Sequence, residues 1–286
     1  MSNGVSEGLK DRLVVAYATD LKSEEKTAFE HAVAVAAHAR GQLYAVHATE
    51  EGERDAFRNF PEAEPLLTRW QAADRPLGAD LHEEVEYHKV LHTCCDDPVD
   101  TLLDALNDIK PDLLVVGKHR LSGVQSFFHD SVAESLARNA NVPTLFVPLR
   151  GEGFVSSLDG DLDLDRVVIP VQDQATIVES LDKTRAIISK LDIREPEYEF
   201  VHVRDGEELR NAVVPETDEK INWHAFETAG DLREAIADTV NGMNAKLIAM
   251  GTHGHDSLAD VFQGSRTEQV VRLMPCPVLS IPLEGA

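Results

Sequence analysis

The chain repeats itself, and that repeat limits what it can fold into. Asp11-Arg12-Leu13-Val14-Val15-Ala16-Tyr17 is echoed by Asp165-Arg166-Val167-Val168-Ile169-Pro170-Val171. Leu113-Leu114-Val115-Val116-Gly117-Lys118-His119 is echoed by Leu247-Ile248-Ala249-Met250-Gly251-Thr252-His253. Val142-Pro143-Thr144-Leu145-Phe146-Val147-Pro148-Leu149 is echoed by Cys276-Pro277-Val278-Leu279-Ser280-Ile281-Pro282-Leu283. A repeat this long means tandem domains rather than a solenoid, with expected limits 1–150 and 151–286. Asp11 and Asp165 stand 154 positions apart, but Gly117 and Gly251 only 134. The first copy therefore holds extra residues, expected within Glu51–His82, a polar stretch with Pro61, Pro65 and Pro76. The Gly- and Asp-rich Gly151–Asp165 reads as a flexible, self-repelling linker.

Within each copy, short apolar runs alternate with helical patterns. Strands are expected at Leu13–Tyr17, Leu43–His47, Val85–Leu91, Leu113–Val116 and Thr144–Val147. Helices are expected at Ser23–Ala39, Val99–Ile109 and Ser131–Asn139, where apolar residues recur at helical spacing. The second copy predicts strands near Val167–Val171, Glu199–Val203, Asn222–Phe226, Leu247–Met250 and Val278–Ile281. Nearly all-apolar strands alternating with helices imply a parallel sheet covered on both faces. Ligands of such folds bind beyond the carboxyl ends of the strands, where strand order reverses.

The loop after the fourth strand of the second copy carries the chemistry. Gly251-Thr252-His253-Gly254 is followed by nine residues and then Gly264-Ser265, with Ser265-Arg266-Thr267-Glu268 matching a capping box. Glycines let the backbone approach an anion, and a helix start offers free N–H groups to it. The first copy keeps Gly117 and Ser131 but has Arg120 and Asp130 at the other two glycine positions. Asp130 puts a carboxylate where phosphate would sit. Ser131-Val132-Ala133-Glu134 is itself a capping box, so capping alone explains that serine. Arg120 is either a solvent-facing loop arginine or a clamp reaching the other copy's phosphates.

This glycine pattern, duplicated in a strand–loop–helix context, resembles the universal stress protein family in its tandem form. So does the closing Pro275-Cys276-Pro277-Val278-Leu279-Ser280-Ile281-Pro282. The resemblance covers nearly the whole chain apart from the linker and the extra segment. It implies two Rossmann-like α/β domains, each a five-stranded parallel sheet of order 3-2-1-4-5 with helices on both faces. It also implies that the closing strands Thr144–Val147 and Val278–Ile281 pair the two copies. Some members bind ATP through this loop. Carried over, Gly254, Gly264 and the Ser265 hydroxyl would contact phosphates, His253 would lie in the loop, and Met250 and Gly251 near the ribose. Members that bind ATP usually end the first strand with an aspartate, for which this chain has Gln172, and Ala18 in the first copy. Asp256 and Asp260 would face an anionic ligand, which calls for Mg²⁺ or high salt.

Composition narrows the rest. With 27 basic against 51 acidic residues, the formal net charge is −24, which repels nucleic acid and anionic lipid. Such a surface fits a salty cytoplasm and a halophilic source. The first residues lack the basic and apolar regions of a signal peptide, so a cytoplasmic location is expected. Cys94, Cys95 and Cys276 have no metal-ligand spacing and read as reduced thiols. No nucleophile elbow or metal cluster stands out. His47 and His202 at strand ends read as hydrogen-bonded sheet residues rather than catalytic bases. The expectation is a non-catalytic adenine-nucleotide sensor, a homodimer in the family manner acting through a regulatory protein partner. A ligand-free scaffold, or a slow ATPase phosphorylating Ser265, remain the alternatives.

Overall fold

The computed structural model describes residues 12–21, 26–49, 54–73, 85–93, 97–118, 132–149, 153–171, 174–203, 220–226, 232–253, 270–271 and 274–283. The first half runs β1 (Val14–Ala18), α1 (Lys26–His38), β2 (Gln42–Thr49), α2 (Arg54–Arg58), α3 (Ala63–Gln71), β3 (Glu86–Thr93), α4 (Pro98–Ile109), β4 (Leu113–Lys118), α5 (Val132–Asn139) and β5 (Thr144–Pro148). The second runs β6 (Arg166–Pro170), α6 (Gln174–Ile188), β7 (Glu197–Val203), β8 (Ile221–Phe226), α7 (Leu232–Met243), β9 (Leu247–His253) and β10 (Val278–Leu283).

All ten strands form one sheet, in the order β3-β2-β1-β4-β5-β10-β9-β6-β7-β8. Each half is parallel and has the expected 3-2-1-4-5 order. The halves join where β5 meets β10 antiparallel, with Val278 opposite Phe146, Leu279 opposite Leu145 and Ser280 opposite Thr144. The closing strands thus pair as the sequence implied, and neither leaves an open edge.

Alternation along the strands divides the core in two. Val15, Tyr17, Val167 and Ile169 face α1 and α6. Ala16, Val116, Phe146, Val168, Ile248 and Met250 face α4 and α7. Local chemistry sets the helix ends. Asp97 caps α4 by accepting the Val99 amide at 2.8 Å, Pro98 opens its first turn, and Lys110 closes it in the left-handed region at φ 53°.

Helix α1 is buried from Ala28 through His38, on every side. A helix buried all round needs a cover on both faces, and here the second cover, over Glu30, His31 and His38, is the supposed linker. Residues 153–165 are not a flexible tether but a hairpin laid along α1. Val155 and Leu162 form an antiparallel bridge, and the Asp163 amide donates to the Phe154 carbonyl at 2.7 Å. Phe154, Leu162 and Leu164 are buried. The aspartates do repel one another, but they face outward. The alternating leucines between them bury enough apolar surface to order the strap. The extra segment also folds, as α2 and α3, and its Phe57, Leu67 and Trp70 are buried. No helix of the described residues is long and apolar enough to cross a membrane.

Candidate functional site

Because every strand of a half is parallel, each half gathers its strand carboxyl ends on one edge of the sheet. The antiparallel seam sends the two sets to opposite edges. Arg120 lies outside the described residues, but the strand before it, β4, ends at the edge opposite the end of β9. The clamp reading of Arg120 is therefore disfavoured by topology.

In the second half, strand order reverses between β6 and β9. There the ladder joins only Val167 to Leu247 and Val168 to Ile248. Pro170 has no N–H to continue it. The matching ladder in the first half runs on to Ala18 opposite Val116. The switch point of the second half is thus less tightly zipped toward its carboxyl ends.

The described part of the predicted site sits on β9. Met250 is buried in the core with Ile236, Val240, Val270 and Val271, so its side chain is spent on packing. Gly251 has a definite steric reason. A Cβ there would come within 2.4 Å of Ser180 Oγ on α6 and 2.6 Å of Leu283 Cδ1. Thr252 is buried and donates its hydroxyl to the Ile281 carbonyl at 3.1 Å. His253 ends β9 opposite Leu283. Gly254, Gly264, Ser265 and Gln172 lie outside the described residues.

In the first half, aromatic side chains crowd the carboxyl ends of β1 and β2. His47 at the end of β2 is buried, and its Nδ1 lies 2.8 Å from the Thr19 carbonyl, just past β1. Phe57 of the extra segment is 4 % exposed and stacks on the His47 ring at 5.6 Å. Phe60 packs on Tyr17 at 6.1 Å and on Phe29 at 5.3 Å. An inserted aromatic cluster therefore fills space beside the ends of β1 and β2. Sequence reasoning found the substitutions at Arg120 and Asp130 but missed this aromatic cluster. Phe57 and Phe60 spaced by three, followed by Leu67 and Trp70 with the same spacing, were the available signal. His202 occupies the related position on β7, opposite Ala225.

Lys118 reaches across the seam. Lys118, the last residue of β4, is buried, and its Nζ donates to the carbonyls of Met274 at 3.3 Å and Cys276 at 3.2 Å. Burial pushes the Cys276 thiol up to about 11, against the smaller opposing pull of Lys118. Among the described residues, no group of three or more His, Cys, Asp or Glu could hold a metal ion.

Two doubly wound α/β halves, fused through their closing strands, define a tandem Rossmann-like fold. The model of the Universal stress protein family matches residues 12–148 and 172–282, and the chain belongs to that family. A universal stress protein of Archaeoglobus fulgidus DSM 4304 superposes with a TM-score of 0.63 at 18 % identity, covering 95 % of this chain and 97 % of that one. A functionally unknown protein from Pseudomonas aeruginosa PAO1 superposes with a TM-score of 0.58 at 11 % identity, covering 97 % and 95 %. At these identities the likeness is one of fold. A curated Thermus aquaticus relative, "Universal stress protein in QAH/OAS sulfhydrylase 3'region", is 44 % identical over 48 residues. That match spans 17 % of this chain and 35 % of the relative's length.

Proposed function

We propose that the chain is a non-catalytic stress-response regulator that holds an adenine nucleotide of the ATP type in its second half, with Mg²⁺ as companion ion. The first half serves as a structural and partner-facing body. The observation that carries the reading is the contrast between the two mouths. One keeps all three glycines, Gly251 within β9 and Gly254 and Gly264 after it, beside a switch point whose ladder stops early. The other has lost two glycines and packs Phe57 against His47 at the end of β2. In this reading Gly254, Gly264 and Ser265 cradle phosphates. His253, the backbone of Met250 and Gly251, and Gln172 border the sugar and base. A second chain would have to pair through some surface other than β5 and β10, which are already used internally.

The test is equilibrium dialysis with labelled ATP, with and without Mg²⁺ and at high salt, beside native mass spectrometry of the purified chain. Saturable binding is expected in the parent protein, and a loss of at least about tenfold in Gly264→Asp, since a carboxylate then opposes the phosphates. A parent protein that binds no nucleotide rejects the reading and leaves a scaffold. Turnover abolished by Ser265→Ala would replace the sensor with a slow ATPase.

A further inference from the structure

The strap of residues 153–165 rests on one histidine whose proton is placed by geometry. His31 Nδ1 lies 2.7 Å from the Thr27 carbonyl. A carbonyl only accepts, so Nδ1 carries the hydrogen. Nε2 is then bare, and it accepts the Phe154 amide at 3.1 Å. The Phe154 ring meets the imidazole edge-on at 4.6 Å. Gly153 lies so close that a Cβ there would fall 2.0 Å from His31 Nε2. His31 is 1 % exposed, so no water can substitute as partner.

We propose that this strap is an acid-released latch: protonation of His31 sets two N–H donors against each other at Phe154 and lifts the 153–157 arm off α1 while the ten-stranded sheet stays intact. The charged groups around it do not rescue the cation. Glu30, the nearest carboxylate, already accepts the Ser157 hydroxyl at 2.7 Å and Arg69 at 3.0 Å, with Lys26 at 3.6 Å. Asp161 of the strap and Asp192 of the turn after α6 face His38 instead. His38 Nε2 donates to the Gly160 carbonyl at 3.1 Å, a bond that survives protonation, so the far turn of the strap is the hinge. The seam residues Thr144–Phe146 and Val278–Ser280 contain no group that titrates in this range.

Burial holds His31 down at about 4, from an ordinary 6.5, against smaller opposing contributions from the Thr27 carbonyl and Glu30. For a histidine lowered by folding, the closed latch is fully favoured above the free value and weakens as pH falls toward the folded one. Linkage makes the open fraction about 70-fold larger at pH 4.5 than at pH 7.5.

Hydrogen exchange of the full chain, followed by mass spectrometry and corrected for intrinsic rates, reads this directly. A peptide over 153–157 should lose protection by about that factor, while peptides over β1 and β6 keep theirs. His31→Gln, which keeps an acceptor near Nε2 and does not titrate, should hold the strap down at pH 4.5. Gly153→Ala should release it at every pH, and it tests the contact should the first variant not fold. Unchanged protection in the parent protein, equal loss in His31→Gln, simultaneous loss in β1 and β6, or a strap still protected in Gly153→Ala would each overturn the proposal.

Discussion

Replacing Gly251 with alanine separates the two uses of that glycine. The added methyl must fit between Ser180 Oγ, 2.4 Å away, and Leu283 Cδ1, 2.6 Å away. Ser180 is 2 % exposed and Leu283 4 %, so neither can swing into solvent, and each must yield by about an ångström. Overpacking a closed core costs about 1–3 kcal/mol. Against this, alanine restricts the unfolded chain and returns about 0.4–1 kcal/mol. The steric cost wins, for a net loss of about 1–2 kcal/mol. Adding Ser180→Ala removes one of the two obstructions and should restore about 1 kcal/mol, a coupling of the size expected for residues in contact. Urea unfolding of the parent, both single variants and the double variant gives the cycle, and dialysis with ATP gives affinity per folded molecule. Lost stability with retained affinity makes Gly251 a helix-packing glycine. A Gly251→Ala protein as stable as its parent, or one that Ser180→Ala does not rescue, would refute that reasoning.

Two further outcomes follow from buried groups. Glu30→Ala should cost about 1–2 kcal/mol in urea unfolding, below the usual value for breaking a buried ion pair because the Arg69 and Lys26 side chains are 47 % and 68 % exposed; Glu30→Gln, which still accepts from Ser157, should cost less. In a Cys94→Ser/Cys95→Ser background, Cys276 should react with Ellman's reagent at pH 8 about 100-fold more slowly in the folded than in the unfolded chain, because burial raises the thiol from 9.0 to about 11; equal rates would mean that the thiol is open to solvent.

The regular part of the fold was legible because its signals are local. Apolar runs such as Leu113–Val116 and the Leu102, Leu103, Leu106 and Ile109 stripe fix element type within a few residues, and the repeat supplies the topology twice. The strap was misread because composition was weighed over period. Asp161-Leu162-Asp163-Leu164-Asp165 alternates strictly, and the structure buries both leucines. That is a strand signal, yet the run of aspartates read as self-repulsion. The run Ala32–Ala37, apolar at every position, was a second sign that something had to cover α1. The Lys118 contacts span 156 and 158 positions, and no local pattern encodes a pair that far apart. For the candidate site, the sequence supplies the glycine spacing and the structure supplies the switch point, while Gly254, Gly264 and Ser265 lie outside the described residues.

The antiparallel seam explains how one copy can lose its glycines without harming the other. Each half gathers its strand carboxyl ends on its own side of the sheet, away from those of the other half. The halves meet through the β5–β10 ladder, through cores shared on both faces of the sheet and through side chains that cross between them. Lys118 is one, and its placement is informative. The Met274 amide closes a turn on Val270 at 3.0 Å, and Lys118 binds the Met274 carbonyl. The first copy thus sets a cation at the carboxyl end of the segment that follows the second copy's glycine loop. Carbonyls at such an end carry partial negative charge, which a cation satisfies. The degenerate copy has lost its own loop pattern and keeps a lysine on the turn that leads into its neighbour's closing strand.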